Sequence, residues 1–227
     1  MLKNIKKVNT MKIKIQKILS LTLLVALFSC SKKIEDPEVL YQKSLNALYN
    51  KSFQTATKLL SDLDENYPYT AYSDDTIVLL AYSDYKTKKY SEVLGIVDFF
   101  IQINPRHENT PYLLYLKALS FYDQIEYYKK DKQILYEFMA LLSIMENNFQ
   151  NSIYTQDLIE KSKYVKEVIL AGEVDVALQY QYRQNCIAAV NRYIEALKIS
   201  NQESSNIMIK HNANLCLNVL GIESYSF

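Results

Sequence analysis

Apolar residues along the chain recur with the spacing of buried helix faces. Between residues 152 and 182, Leu158, Val165 and Ile169 fall on one face, which predicts a single long helix. Gly172 interrupts this pattern at a cost of about 1 kcal/mol relative to alanine, so we expect a bend or a close helix crossing there. The whole pattern predicts helices over residues 37–49, 53–66, 73–86, 90–103, 111–127, 131–148, 152–182, 185–198 and 206–220.

A combination of small, aromatic and proline residues repeats every 37 positions, as Ser44, Ala81 and Ala118 show. Small residues let two antiparallel helices approach closely, and proline ends a helix because it lacks an N–H group. The unit resembles the tetratricopeptide repeat, a helix–turn–helix of similar length. We therefore predict an all-α fold, a tetratricopeptide-like superhelix of about five helix pairs. The other equivalent positions are Phe53 and Tyr90, Ala56 and Val93, and Pro68 and Pro105, with Ala177, Cys186 and Ala189 near the C-terminus.

The N-terminus has the pattern of a secretory signal. Basic residues 11–17 precede an apolar run over 18–28, which is shorter than the roughly 20 residues that cross a membrane. The following Ser29-Cys30 resembles the lipobox of bacterial lipoproteins. The resemblance implies cleavage between these two residues, with N-palmitoyl and S-diacylglycerol groups on Cys30. An ordinary signal with a chance cysteine is the alternative, and translation starts at either Met1 or Met11.

The amino-acid composition argues against several folds and binding partners. The chain has 3 glycines and 4 prolines in 227 residues, too few for a turn-rich β fold. It has 26 basic and 25 acidic residues, and residues 1–29 hold six of the lysines and no acid, so the mature chain has 20 against 25. This net negative charge argues against nucleic-acid binding and against electrostatic attachment to anionic lipid. A membrane attachment would therefore depend on the acyl chains.

Candidate catalytic groups are sparse. His107 and His211 have no nucleophile nearby in a known motif, and no phosphate-binding loop or zinc motif occurs. We therefore predict a binding protein with no catalysis, metal or cofactor; an enzyme with an unrecognised site is the remote alternative. Cys186 and Cys216 could form a disulfide in an oxidising compartment. Buried free thiols are favoured, because both positions suit a small packed residue.

Tyrosine, with 20 copies, is the candidate binding residue. Tyrosine offers a large contact area with a polar tip and is common at interfaces. Core packing is the alternative for each of them. The tyrosines predicted to bind a partner lie on or near the first helices of repeats two and three, and they are Tyr72, Tyr82, Tyr85, Tyr112 and Tyr115.

Four further segments carry a family resemblance, namely residues 67–72, 99–107, 112–115 and 187–193. Together with the lipobox they resemble the BamD (ComL) family, lipoproteins of the β-barrel assembly machine. The resemblance implies a lipid-anchored scaffold on the periplasmic side of the outer membrane. It also implies that the N-terminal repeats receive unfolded outer-membrane protein clients and that the C-terminal repeats dock on the POTRA domains of a BamA-type barrel subunit.

The family's Asn-Arg pair falls on Asn191 and Arg192, so Arg192 is the expected contact with the barrel subunit. The predicted organisation is a signal peptide (1–29), an acylated linker (30–36), N-terminal repeats (37–148), and a long helix with further repeats (149–227). The alternative function is that of another tetratricopeptide lipoprotein, such as a pilotin or a cell-envelope coordination scaffold.

Overall fold

The computed structural model describes residues 35–126, 131–200 and 203–222. The predicted signal peptide, the cleavage point at Ser29 and the lipidation residue Cys30 lie outside them. Within the described ranges the chain forms nine helices and no strand, which confirms the all-α prediction. The helices are α1 (Pro37–Tyr49), α2 (Phe53–Asn66), α3 (Ser73–Lys86), α4 (Tyr90–Ile103), α5 (Thr110–Tyr122), α6 (Lys132–Asn148), α7 (Ile153–Tyr182), α8 (Cys186–Ile199) and α9 (Glu203–Val219).

The small residues of the repeat lie where helices pack most closely. Ser44, Ala81 and Ala118 are each 0% exposed, and so are Ala56 and Val93. Each helix from α2 onward packs on the next, and α3, α5 and α7 also pack on one another in that order. This stacking of helix pairs confirms the tetratricopeptide-like arrangement that the 37-residue period predicted.

Three of the turns inside helix pairs, α1–α2, α3–α4 and α7–α8, have the same backbone conformation. Lys51 and Lys88, 37 residues apart, have φ of 56° and 61°, and Gln184 between α7 and α8 has φ of 60°. The next residue donates its backbone N–H to a carbonyl five positions back, for example Lys89 to Asp84 at 2.9 Å. This pattern is the Schellman closure of a helix C-terminus. It occurs here without glycine, although a left-handed residue with a side chain costs about 1 kcal/mol or more.

Helix α5 is shorter than predicted, since it ends at Tyr122 and the chain turns over residues 123–126. The end is stabilised by i→i−3 hydrogen bonds, such as that from the Gln124 N–H to the Phe121 carbonyl at 3.0 Å. Ile125 in this turn is 1% exposed, so its side chain is buried in the core although the helix has already ended. The helical pattern predicted through residue 127 is therefore wrong beyond Tyr122 for the residues described.

The long helix α7 runs unbroken over 30 residues, from Ile153 to Tyr182. A Cβ atom built on Gly172 would have no neighbour within 4 Å. The expected close crossing at this glycine is therefore wrong. No helix among the described residues has the length and apolar character needed to cross a membrane.

Buried side chains of α7 belong to two core clusters. Its first half, with Leu158 and Val165, packs with residues of α5 and α6 such as Phe138. Its second half, with Ala177, packs with residues of α8 and α9 such as Tyr193. The predicted boundary between residues 148 and 149 stays a prediction.

Candidate partner-binding surfaces

Tyrosine rings of successive repeats contact one another. The rings of Tyr112 and Tyr154 lie 5.4 Å apart between centroids, and those of Tyr115 and Tyr154 lie 5.1 Å apart. Tyr82 packs edge-on against Phe53 at 5.8 Å. We call Tyr82, Tyr85, Tyr112, Tyr115 and Tyr154 the tyrosine row. Four of its five members were predicted from the sequence, and Tyr154 was not, because nothing local distinguishes it from other tyrosines.

The fifth predicted tyrosine, Tyr72, lies apart from this row. Its ring stacks on that of Tyr41 at 4.5 Å with an interplanar angle of 18°. It occupies the N-cap position of α3 and is partly buried. The stacked pair joins α1 to the start of α3.

Two members of the tyrosine row use their hydroxyl groups to connect repeats. Tyr85 donates a hydrogen bond to Asp123 at 2.8 Å, and Tyr115 donates one to Asp157, also at 2.8 Å. Burial, followed by this hydrogen bond to a carboxylate, raises the pKa of Tyr85 and of Tyr115 above the ordinary value. Both phenols therefore stay protonated and keep donating. The sequence analysis did not identify the two acceptors, whose carboxylates come from a different repeat.

The other three members leave their hydroxyl groups available. In the part of the chain that the structure describes, the hydroxyls of Tyr82, Tyr112 and Tyr154 have no hydrogen-bond partner. Burial first, and then the neighbouring Tyr82 and Tyr154, raise the pKa of Tyr112. These phenols combine apolar rings with unused donors, which is what contact with an extended peptide requires.

The second candidate surface surrounds Arg192 on α8. Arg192 Nη1 lies 3.2 Å from Oε2 of Glu173 on α7, and Lys132 Nζ at the start of α6 lies 2.5 Å from Oε1 of the same carboxylate. Glu173 is 2% exposed, whereas the side chain of Arg192 is 42% exposed. The sequence analysis found Arg192 but missed Glu173 and Lys132, since a buried acid inside a long helix has no local signature.

Both predicted contact residues border one pocket. Its volume is about 290 Å³. Asn191 is exposed and lies beside Arg192 on α8. The full lining consists of Tyr180, Ala188, Asn191, Arg192, Ile194 and Glu195. We call this the Arg192 pocket.

The two cysteines of the described region are free and buried, which confirms the favoured interpretation. Burial, followed by a hydrogen bond with Cys186, raises the pKa of Cys216 to about 12. The thiols therefore pack in the core between α8 and α9.

Comparison with known proteins places this architecture in a family. A family model described as an outer membrane lipoprotein, YfiO, matches residues 34–223. The chain is 29% identical to the outer membrane protein assembly factor BamD of Pasteurella multocida, covering 75% of this chain and 70% of that protein. For BamD of Haemophilus influenzae the identity is 28%, covering 78% and 72%. For BamD of Vibrio cholerae it is 28%, covering 82% and 83%. Because the family model matches most of this chain, the chain belongs to the YfiO family of outer membrane lipoproteins.

Proposed function

We propose that this protein is an outer-membrane lipoprotein of the β-barrel assembly machine and acts as a scaffold for the insertion of β-barrel proteins. The observation that carries the proposal is the family match over residues 34–223, together with relatives named as outer membrane protein assembly factors. Acyl chains on Cys30 hold the repeats at the membrane, facing the periplasm. As a scaffold, the protein binds and positions other proteins, and this activity needs no cofactor.

Unfolded outer-membrane proteins bind at the tyrosine row in this proposal. The hydrogen bonds from Tyr85 and Tyr115 hold adjacent repeats in a fixed relation, and the available hydroxyls of Tyr82, Tyr112 and Tyr154 meet the client backbone. Contacts of this kind tolerate many sequences, because every peptide presents backbone carbonyls. Binding should accordingly be weak enough for clients to leave.

The barrel subunit binds at the opposite end of the chain, through its POTRA domains and the Arg192 pocket. Arg192 is partly exposed, and only its bond to Glu173 uses a donor among the described residues. Arginine is enriched among residues that dominate interface energetics. Asn191 adds an exposed amide. The two surfaces share only α7, with Tyr154 of the tyrosine row near its first residue and Tyr180 of the Arg192 pocket near its last, so a client and the barrel subunit can be held together.

The test is a mild-detergent pull-down of the tagged chain from its native membrane, with mass spectrometry of the recovered proteins. We expect a barrel protein with POTRA domains. Arg192→Glu should lower its recovery several-fold, whereas the control Arg106→Glu, the same charge change at an exposed loop residue between α4 and α5, should not. Recovery of a secretin or of cell-wall enzymes without the barrel protein would contradict the proposal and favour a pilotin or an envelope scaffold.

A further inference from the structure

Three aspartates on successive repeats each accept a hydrogen bond from a tyrosine of the repeat before. The pairs are Tyr41–Asp75 at 3.5 Å, Tyr85–Asp123 at 2.8 Å and Tyr115–Asp157 at 2.8 Å. A tyrosine hydroxyl is a neutral donor, so each hydrogen bond leaves the negative charge of the carboxylate in place. The surroundings of each aspartate therefore decide how its charge is balanced.

Two of the three charges are balanced within the protein. Asp75 lies in the first turn of α3, where the positive end of the helix dipole stabilises an acid. Asp157 forms an ion pair with Lys161, whose Nζ lies 3.0 Å from its Oδ2. Neither carboxylate needs a further cation.

Asp123 has neither form of compensation. It is the C-cap residue of α5, where the negative end of the helix dipole disfavours an acid. Its hydrogen bond from Tyr85 and a longer one from Tyr90, at 3.5 Å, both fall on Oδ2. Across residues 35–126, 131–200 and 203–222, Oδ1 has no donor and the carboxylate has no ion-pair partner. A side chain that breaks a local rule in this way marks a candidate functional position.

We propose that Asp123 binds a cationic side chain of the client, an arginine or a lysine. The inference deepens the proposed function and rests on it, because the client is the unfolded outer-membrane protein at the tyrosine row. Asp123 is exposed, so the cation reaches Oδ1 from solvent. The oxygen of Tyr85 offers a second acceptor, since its own proton is directed at Oδ2.

Tyr85 connects this carboxylate to the tyrosine row, of which it is a member. A client segment that lies along the row therefore passes Asp123. The hydrogen bond from Tyr85 also restrains the carboxylate before the client arrives, which lowers the entropy lost on binding. Contacts with the client backbone are general, whereas this contact favours segments with a basic residue and disfavours acidic ones.

The test uses a fluorescein-labelled strand peptide of an outer-membrane β-barrel protein, about ten residues long. At each interior position in turn, the peptide carries arginine, the neutral isostere citrulline or glutamate. Fluorescence anisotropy at fixed salt gives the affinity of each peptide for the full mature chain. Scanning the position ensures that one register brings the arginine to Asp123.

Four variants are compared with the wild type, and thermal melts show which of them are folded. Asp123→Asn removes the charge but keeps an oxygen for the hydrogen bond from Tyr85. Asp123→Lys reverses the charge and should fold, because a cation suits a helix C-terminus. Asp157→Asn is the matched control at the compensated aspartate. Glu137→Gln removes an exposed charge that has no ion pair among the described residues.

The wild-type chain should bind the best arginine peptide roughly threefold more tightly than its citrulline form, as expected for one exposed ion pair. Asp123→Asn should remove this preference and leave the affinity for the citrulline peptide unchanged. Asp123→Lys should bind the glutamate peptide more tightly than the arginine peptide. Glu137→Gln should keep the wild-type preference. Asp157→Asn should keep it too, even where the released Tyr115 weakens binding of both peptides.

Equal affinity of the wild-type chain for arginine and citrulline at every position would overturn the inference. As long as both peptides bind, that result leaves the proposed function intact. A preference for arginine that survives Asp123→Asn, or that Glu137→Gln removes equally well, would assign the effect to the overall charge of the chain and also overturn the inference. If no peptide binds the wild-type chain, the role of the tyrosine row in the proposed function is overturned as well.

Discussion

Tyrosine has two roles in this protein, and the hydroxyl group distinguishes them. In Tyr85 and Tyr115 the hydroxyl connects neighbouring repeats through a carboxylate, whereas in Tyr82 and Tyr112 it has no acceptor in the described structure. Their spacing on the predicted helices was enough to select all four residues. It was not enough to separate the roles, because each acceptor lies 38 or 42 residues away in the sequence.

The raised pKa of Tyr112 predicts a loss of stability in alkali. Burial of this phenol, with Tyr82 and Tyr154 nearby, raises its pKa well above the ordinary value of 10.0. Above about pH 10 the unfolded chain therefore loses a proton that the folded chain keeps, so the free energy of unfolding falls as pH rises. Below that pH the contribution is fully present. Tyr112→Phe removes the titrating group and should make the fall shallower.

Urea unfolding followed by circular dichroism between pH 8 and pH 11 measures this dependence. The control is Tyr69→Phe, since Tyr69 is 97% exposed. Its removal should leave the slope against pH unchanged. Equal effects of the two substitutions would contradict the assignment of the alkaline loss to the buried phenol.

Helix boundaries followed from the sequence wherever the repeat was regular. Helices α1 to α4 begin and end at the predicted residues, because the small residues and the prolines after α2 and α4 mark each unit. The prediction was wrong at the end of α5, where apolar and aromatic residues continue to Tyr127 but the helix stops at Tyr122. Ile125 is buried by a turn there, and tertiary contact of this kind is invisible to helical periodicity.

Gly172 is the position in α7 where substitution should stabilise the protein. It lies inside a continuous helix and has open space around its missing Cβ. Gly172→Ala should raise the free energy of unfolding by about 0.5–1 kcal/mol, because alanine loses less backbone entropy on folding. Urea denaturation measures the change.

Gly221 provides the opposite control for this substitution. Its φ is 75°, a left-handed conformation that alanine adopts only with strain. Gly221→Ala should therefore destabilise the chain or leave its stability unchanged. A loss of stability in Gly172→Ala would mean that the glycine is required for the curvature of α7, as the sequence first suggested.

At the scale of the whole molecule, α7 links the two sets of repeats. Its first half packs with α5 and α6, its second half packs with α8 and α9, and Glu173 joins Lys132 to Arg192 across it. The period of 37 residues predicted the stacking of helix pairs. It could not predict this ion cluster, because the three residues have different sequence contexts and come together only when the helices pack. The sequence therefore identified only Asn191 and Arg192 of this surface, although it has the strongest electrostatic argument for a partner.

The attachment of the whole molecule to the membrane depends, in our proposal, on Cys30. In the same proposal cleavage before Cys30 leaves 20 basic and 25 acidic residues, so anionic lipid does not hold the chain by charge. Each buried methylene of an acyl chain contributes about 0.8 kcal/mol, and two or more chains make the attachment stable. Cys30→Ala should therefore move the protein from the outer-membrane fraction to the soluble periplasmic fraction.

Cell fractionation with immunoblotting measures the shift, and mass spectrometry of the wild-type N-terminal peptide tests for acylation. Ser31→Ala, one residue further along, keeps the thiol and should stay with the membrane. The soluble Cys30→Ala protein should still bind the POTRA domains in vitro, because the Arg192 pocket is formed entirely by α7 and α8. Retention of Cys30→Ala in the outer membrane after a high-salt wash would contradict the lipid anchor. It would also mean that protein contacts alone keep the chain there.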